Sequence, residues 1–213
     1  SMGMSALHTA AEAGSVELVN MLIGFGADVE ARDNVGDTPL VHAILLRDIK
    51  MMATLVANGA DVATRNNLGD TPLHHGIAEG LPESYQPLLA KGADLYAERY
   101  DGQSPLDFAL QNGIEHIDRL VTNRNANSRD NRGRTPLHRA VLADASEEIV
   151  KLLLSKGADP NLRDGEGDIC LHEALRRSNG LLAELLKEAG ADIFARNAHN
   201  ETPVSLALNA GSE

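Results

Sequence analysis

The sequence predicts an all-α repeat solenoid, and three observations predict it. A four-residue motif, Thr-Pro-Leu-His in its fullest form, begins at Ser5, Thr38, Thr71, Ser104, Thr135, Ile169 and Thr202, at spacings of 33, 33, 33, 31, 34 and 33 residues. A small residue follows each motif in register: Ala10, Ala43, Gly76, Ala109, Ala140, Ala174 and Ala207. Gly-Ala-Asp recurs at 26–28, 59–61, 92–94, 157–159 and 190–192. A fixed period of this length marks stacked supersecondary units, each leaning on its neighbours.

Each element has a physical reason. Thr or Ser is a good N-cap, and Pro suits the first helical turn because its missing N–H has no partner there anyway. Leu begins the buried stripe, and the small column lets neighbouring helices approach closely. A second helix follows, as in 149–155, where Val150, Leu153 and Leu154 stand at helical spacing. Gly157 supplies the left-handed stop. The stretch from Asp159 to Asp168, with Pro, Asn and two Gly, reads as a β-hairpin leading to the next cap. The repeats run 3–32, 33–65, 66–98, 99–129, 130–163 and 164–196, with a partial seventh at 197–213, as one domain; Ser1-Met2 reads as an expression scar.

Cap, small column, helix stop and period together resemble the ankyrin repeat over residues 3–211. The resemblance implies an L-shaped stack of helix pairs with hairpins projecting sideways. It also implies binding of a protein or peptide through hairpin tips and the first helix of each repeat.

Three departures stand out. The fourth repeat is two residues short, and Asn123-Arg124-Asn125 replaces its Gly-Ala-Asp. The second helix of the third repeat holds Pro82, acceptable in a first turn, and Pro87, expected to remove an interior hydrogen bond and bend the helix. The first repeat lacks most of its hairpin and the seventh stops near Gly211, which suggests a segment cut from a longer array. Val16, Val19, Ile23 and Phe25 are expected near the face that would meet a preceding repeat. The third and fourth repeats are the expected weak link of the stack.

Composition narrows the function. Hydrophobic residues make up 43% and aromatics 3%, with no Trp, so the core is built from closely packed aliphatic side chains. A formal net charge of -12 disfavours nucleic acid and anionic membrane surfaces. The single cysteine, Cys170, excludes an internal disulfide and fits a reducing, cytoplasmic compartment. No apolar run approaches the roughly 18 residues of a membrane span.

Candidate chemistry is sparse. His8, His74, His138 and His172 share the slot after the motif Leu, one per repeat, and so cannot converge on one metal ion. The resemblance gives them a structural role around the cap. The adjacent His74 and His75 diverge by about 100° on a helix. Cys170 replaces the helix-start Pro of the sixth repeat and reads as a half-buried structural thiol. Gly24-Phe25-Gly26 lacks the third glycine of a dinucleotide loop and ends a helix. No catalytic residue, cofactor, metal or small-molecule substrate is expected.

Carried over by motif, the binding surface holds Val35, Leu45, Leu46, Leu68 and Tyr100 as an apolar strip, rimmed by Asp37, Asp70 and Asp101. Farther along stand Arg132, Arg134, Arg139, Arg176 and Arg177, so the expected groove turns from apolar and acidic to basic. Arg32, Arg65, Arg129, Arg163 and Arg196 recur before the hairpins, with Glu98-Arg99 inverted in the fourth repeat. They suggest a ladder of weak surface ion pairs.

The leading expectation is a monomeric scaffold that binds a protein or peptide. The runner-up is a substrate-recruiting or regulatory segment of a larger enzyme or complex. A third reading follows from the resemblance: asparagines at one hairpin position are hydroxylated in animals, and Asn127 and Asn161 occupy it here, Asn161 being the better match.

Overall fold

The computed structural model describes residues 3–210, and among these it forms thirteen helices and no strand. Ser1-Met2 and the end near Gly211 lie outside the described residues. The helices are α1 (Ala6–Glu12), α2 (Val16–Gly24), α3 (Pro39–Leu45), α4 (Ile49–Ala57), α5 (Pro72–Ala78), α6 (Pro82–Ala90), α7 (Pro105–Asn112), α8 (Ile114–Leu120), α9 (Pro136–Leu142), α10 (Glu147–Ser155), α11 (Cys170–Arg176), α12 (Gly180–Glu188) and α13 (Pro203–Ala210). The chain is an all-α repeat solenoid that falls into two compact bodies, Ser1–Phe108 and Ala109–Glu213.

In the first body, α1, α3 and α5 pack in succession, as do α2, α4 and α6, and each first helix packs on its own second helix. Leu7, Leu40 and Leu73 from the motif are buried in this core, as are Val19, Met52, Leu55 and Leu88 of the second helices. Val19 thus belongs to the core, while Phe25 and Met21 on the same segment are exposed. The second body repeats the pattern with α9, α11 and α13 in one row and α8, α10 and α12 in the other. Leu137, Val150, Leu153, Leu171, Leu182 and Leu186 fill its core. Cys170 lies fully inside rather than half-buried, and burial pushes its thiol far up from the usual range.

The motif histidines fasten one repeat to the next. His8 Nδ1 accepts the Ser5 N–H (3.1 Å), so Nε2 carries the proton and donates to the Asp37 carbonyl (3.0 Å). His74, His138 and His172 do the same for the carbonyls of Gln103, Asp168 and Glu201. Asp107 takes the cap role in the fourth repeat, receiving both the N–H and the hydroxyl of Ser104 (2.9 and 2.7 Å). In the second repeat Val41 fills the slot, and the buried Thr38 hydroxyl has no partner.

The expected β-hairpins are tight loops. Each closes on two backbone bonds, such as Asp33 N–H to the Asp37 carbonyl (3.0 Å) and Gly36 N–H to the Asp33 carbonyl (3.1 Å). Neighbours within a body touch through one more, such as Asn67 N–H to the Val35 carbonyl (3.0 Å). Isolated bonds of this kind do not make a ladder.

Two irregularities resolve locally. Helix α6 runs through Pro87 without a break, with Pro87 on its exposed side. Water can serve the carbonyl that a missing N–H leaves free there. The two-residue deletion shortens α8 to seven residues where α10 and α12 have nine. The Asn125 side chain replaces the glycine stop: Nδ2 donates to the Leu120 carbonyl (3.1 Å), and Oδ1 accepts the Thr122 N–H (2.7 Å).

Candidate partner-binding surface

An Asp or Asn at the base of every described loop but one sets what its tip presents. Asp33 Oδ1 accepts the N–H groups of Val35 and Asp37 (2.9 Å each), and Asn66 Oδ1 those of Leu68 and Asp70 (2.9 Å each). The carboxylate or amide satisfies the inside of the loop, which leaves the side chain two residues on facing water. In the fourth repeat Arg99 holds this place and cannot accept. Asp101 Oδ1 takes the Gln103 N–H instead (3.1 Å).

Of the eight large apolar side chains exposed in the first body, three (Leu18, Met21 and Phe25) lie on or just past α2, and five belong to the expected strip: Tyr100 is 79% exposed, Leu68 59%, Val35 55%, Leu46 53% and Leu45 38%. Val35, Leu68 and Tyr100 sit on consecutive loop tips, tied by Asn67 N–H to Val35 O and Tyr100 N–H to Leu68 O (3.0 and 3.3 Å). Leu45 and Leu46 close α3 on the side of its C-terminus. Stacking between repeats would have buried them.

The acidic rim needs correction, because Asp37 and Asp70 are buried and only Asp101 is exposed. Asn66 Nδ2 donates to Asp37 Oδ1 (2.9 Å), and His75 Nε2 lies 3.5 Å from the same oxygen. Burial pushes the Asp37 carboxyl up, but bonds from His75 and Asn66 outweigh it and hold the group below the usual carboxylate range. Asp70 Oδ1 lies 3.4 Å from Arg99 Nε, which is as far from Asp101 Oδ1. The Arg99 guanidinium also rests 5.5 Å over the Phe108 ring.

The sequence reading missed the centre of this network. His42 places Nδ1 3.0 Å from Glu12 Oε1 and Nε2 3.1 Å from Asp33 Oδ2, with the His8 ring edge-on at 4.8 Å. Asp33 is held below the usual range, the bonds from His42 and the loop N–H groups outweighing burial. One signal was available: an Asp or Asn four residues before the motif-flanking position at 33/37, 66/70, 130/134, 164/168 and 197/201.

In the second body the basic residues are largely neutralised, a second correction. Arg134 Nε lies 3.8 Å from Asp164, and Arg139 Nη1 lies 3.7 Å from Asp130. Arg176 grips both oxygens of the buried Asp168 and reaches Glu201 (2.8 Å), while Arg177 pairs with Glu173 (2.6 Å). Burial pushes the Asp168 carboxyl up, but the bonds from Arg176 and the Asn197 amide outweigh it and keep the group below the usual carboxylate range. Arg132 stands exposed at its loop tip.

The recurrent arginines form a ladder of another kind. Arg32 donates to the Arg65 carbonyl (2.6 Å), Arg65 to that of Glu98, Arg129 to that of Arg163, and Arg163 to that of Arg196. The acceptors are main-chain oxygens of the next loop, not carboxylates. Asn161 is similarly engaged: Nδ2 donates to the Gly190 carbonyl (2.9 Å) and Oδ1 accepts the Asp192 N–H (2.7 Å). Asn127 makes the equivalent pair with Gly157 and Asp159 (2.9 and 2.8 Å). Among the described residues no group of three or more His, Cys, Asp or Glu side chains is placed to hold a metal ion, and no helix is long and apolar enough to cross a membrane.

A family model described as "Ankyrin repeats (3 copies)" matches residues 7–99 and 88–164. The chain is 40% identical over 75 residues to the mouse B-cell lymphoma 3 protein homolog, covering 35% of this chain and 16% of that protein. It is 38% identical over 66 residues to the E3 ubiquitin-protein ligase KEG of Arabidopsis thaliana, covering 30% of this chain and 4% of that protein. A putative ankyrin repeat protein of Rickettsia felis is 35% identical over 97 residues, 42% of each chain. The chain therefore spans less than half the length of these relatives. Among solved structures, the ankyrin repeat domain of Bcl-3, titled a unique member of the IkappaB protein family, matches with a TM-score of 0.76 at 30% identity, covering 97% of this chain and 95% of that one.

Proposed function

The chain belongs to the ankyrin-repeat family, and on that premise we propose that it is a scaffold seating a partner protein or peptide on the loop tips and α3 end of its first body. Ankyrin-repeat domains generally mediate protein–protein interactions, and the fold is typically a non-catalytic module. The observation that supports this surface is the row of exposed apolar side chains at Val35, Leu45, Leu46, Leu68 and Tyr100. Large apolar side chains exposed on consecutive loop tips and at a first-helix end mark interaction surfaces. Tyr100 and Leu46 are the anchors, with Asp101 at the rim. Arg134, Arg176 and Arg177 of the second body are committed to carboxylates of their own fold and are not among the partner contacts. Truncating an anchor to Ala is expected to weaken binding by about 1 kcal/mol or more. Unchanged affinity in folded Tyr100→Ala and Leu46→Ala chains would place the surface elsewhere.

A second reading is a recruiting segment of a larger multidomain protein, suggested by the small share of the E3 ligase relative that the match covers. A full-length sequence carrying a catalytic domain would favour it. Hydroxylation of Asn161 belongs to the same proposal. Both ends of its amide are bonded in the fold, so an enzyme would act on a locally opened loop. Intact mass after treatment with an asparaginyl hydroxylase, with and without mild denaturant, tests that order of events.

A further inference from the structure

We infer that the segment seated on the first body's apolar strip is a basic peptide, with Lys or Arg interleaved among aliphatic or aromatic side chains. The inference rests on the strip being the binding surface and adds the chemical class of its occupant. Charge in this body is one-sided: Ser1–Phe108 holds six Lys and Arg against fifteen Asp and Glu. Four of the six cations are engaged within the fold. Arg32 and Arg65 donate to the next loop, Arg47 to the carbonyls of Glu79 and Gly80, and Arg99 faces Asp70 and Asp101. The other two, Lys50 and Lys91, lie in α4 and at the end of α6, away from the loop tips. Carboxylates border the strip instead. Asp101 follows Tyr100, Glu79 ends α5 in the register that Leu46 holds on α3, and Glu12 ends α1 beside His42. An approaching peptide therefore meets apolar anchors in a negative field, which attracts cations and repels carboxylates.

The test is selection of random 12-residue peptides displayed on phage against the immobilised chain, run in parallel on Tyr100→Ala and Leu46→Ala chains shown to be folded. Peptides enriched on the wild-type chain are expected to carry Lys and Arg at roughly twice or more their library frequency, and this enrichment is lost on the two variants. The best peptide, measured by fluorescence anisotropy, should weaken about tenfold between 0.05 and 0.5 M salt, and severalfold on the Asp101→Asn, Glu79→Gln chain. Neutral or acidic peptides that still depend on Tyr100 would overturn the charge class and leave the strip standing. Basic peptides indifferent to Tyr100 and Leu46, or no enrichment at all, would overturn the strip itself.

Discussion

A methyl group at Gly76 would sit 2.4 Å from the Ser84 hydroxyl, closer than packed atoms come. Six of the seven repeats place Ala in this column, whereas in the third the Ser84 hydroxyl occupies the place of the methyl, with the Tyr85 ring at ordinary contact distance (3.7 Å). Gly76→Ala should destabilise the chain by about 2 kcal/mol through overpacking. With Ser84→Ala alongside, the clash is gone and helix propensity gives back about 1 kcal/mol. Urea unfolding of the single and double variants checks the reversal, and additive effects would show that the two positions do not communicate.

Val41 leaves the Thr38 hydroxyl buried and unbonded, whereas His74 and His138 serve their cap threonines. Val41→His should supply that bond and reach the Asp70 carbonyl, the equivalent of the Asp37 oxygen that His8 holds. The expected gain is about 1 kcal/mol. A lower melting temperature at pH 7.5 would mean the pocket has no room for the ring.

Burial holds His74 and His138 below the ordinary 6.5, against the pull of the Gln103 and Asp168 carbonyls. Unfolding therefore takes up protons at mildly acid pH, so these residues contribute stability that is intact above about 6.5 and lost as pH falls beneath it. The depressed Asp33, Asp37 and Asp168 add a second loss starting near their ordinary 3.8 and continuing downward. Urea midpoints at pH 7.5 and 5.5 should differ in the wild type and converge in a His74→Asn, His138→Asn chain.

Helix α6 follows Leu81, which supplies no side-chain cap, and contains Pro87; α8 follows Gly113, equally without a side-chain cap, and is the shortest second helix among the described residues. Hydrogen exchange should be fastest there within each body, and Pro87→Leu should slow α6 by restoring a main-chain bond. Uniform protection across α4, α6, α8 and α10 would show that tertiary packing compensates for both defects.

What was legible in the sequence was whatever the period repeats. The cap, the small column and the role of His8, His74, His138 and His172 all follow from position within the repeat. What was not legible depends on where a neighbouring repeat points its side chains. Asp37 and Asp70 look like rim charges until Asn66, His75 and Arg99 turn toward them. The arginines before each loop suggest ion pairs because a sequence displays charge but hides the carbonyl oxygens that accept from Arg32 and Arg129. Asn125 could not be read as a helix stop, since it stands two residues past the missing glycine and works through its side chain. The exposed Leu45 and Leu46 could equally have been interior, because helix spacing does not say which side of α3 is covered.

The forward reach of the motif histidines and loop arginines carries one more consequence. Each donates to a main-chain oxygen of the following repeat, and a main-chain oxygen is the same whatever residue bears it. Neighbours joined this way are interchangeable parts: removing residues 33–65 would offer His8 the Asp70 carbonyl in place of that of Asp37, and Arg32 the Glu98 carbonyl in place of that of Arg65. Unequal recombination between such segments can lengthen or shorten the array without redesigning a joint. The loop tips and the ends of the first helices, free of that coupling, can drift toward new partners at their own pace.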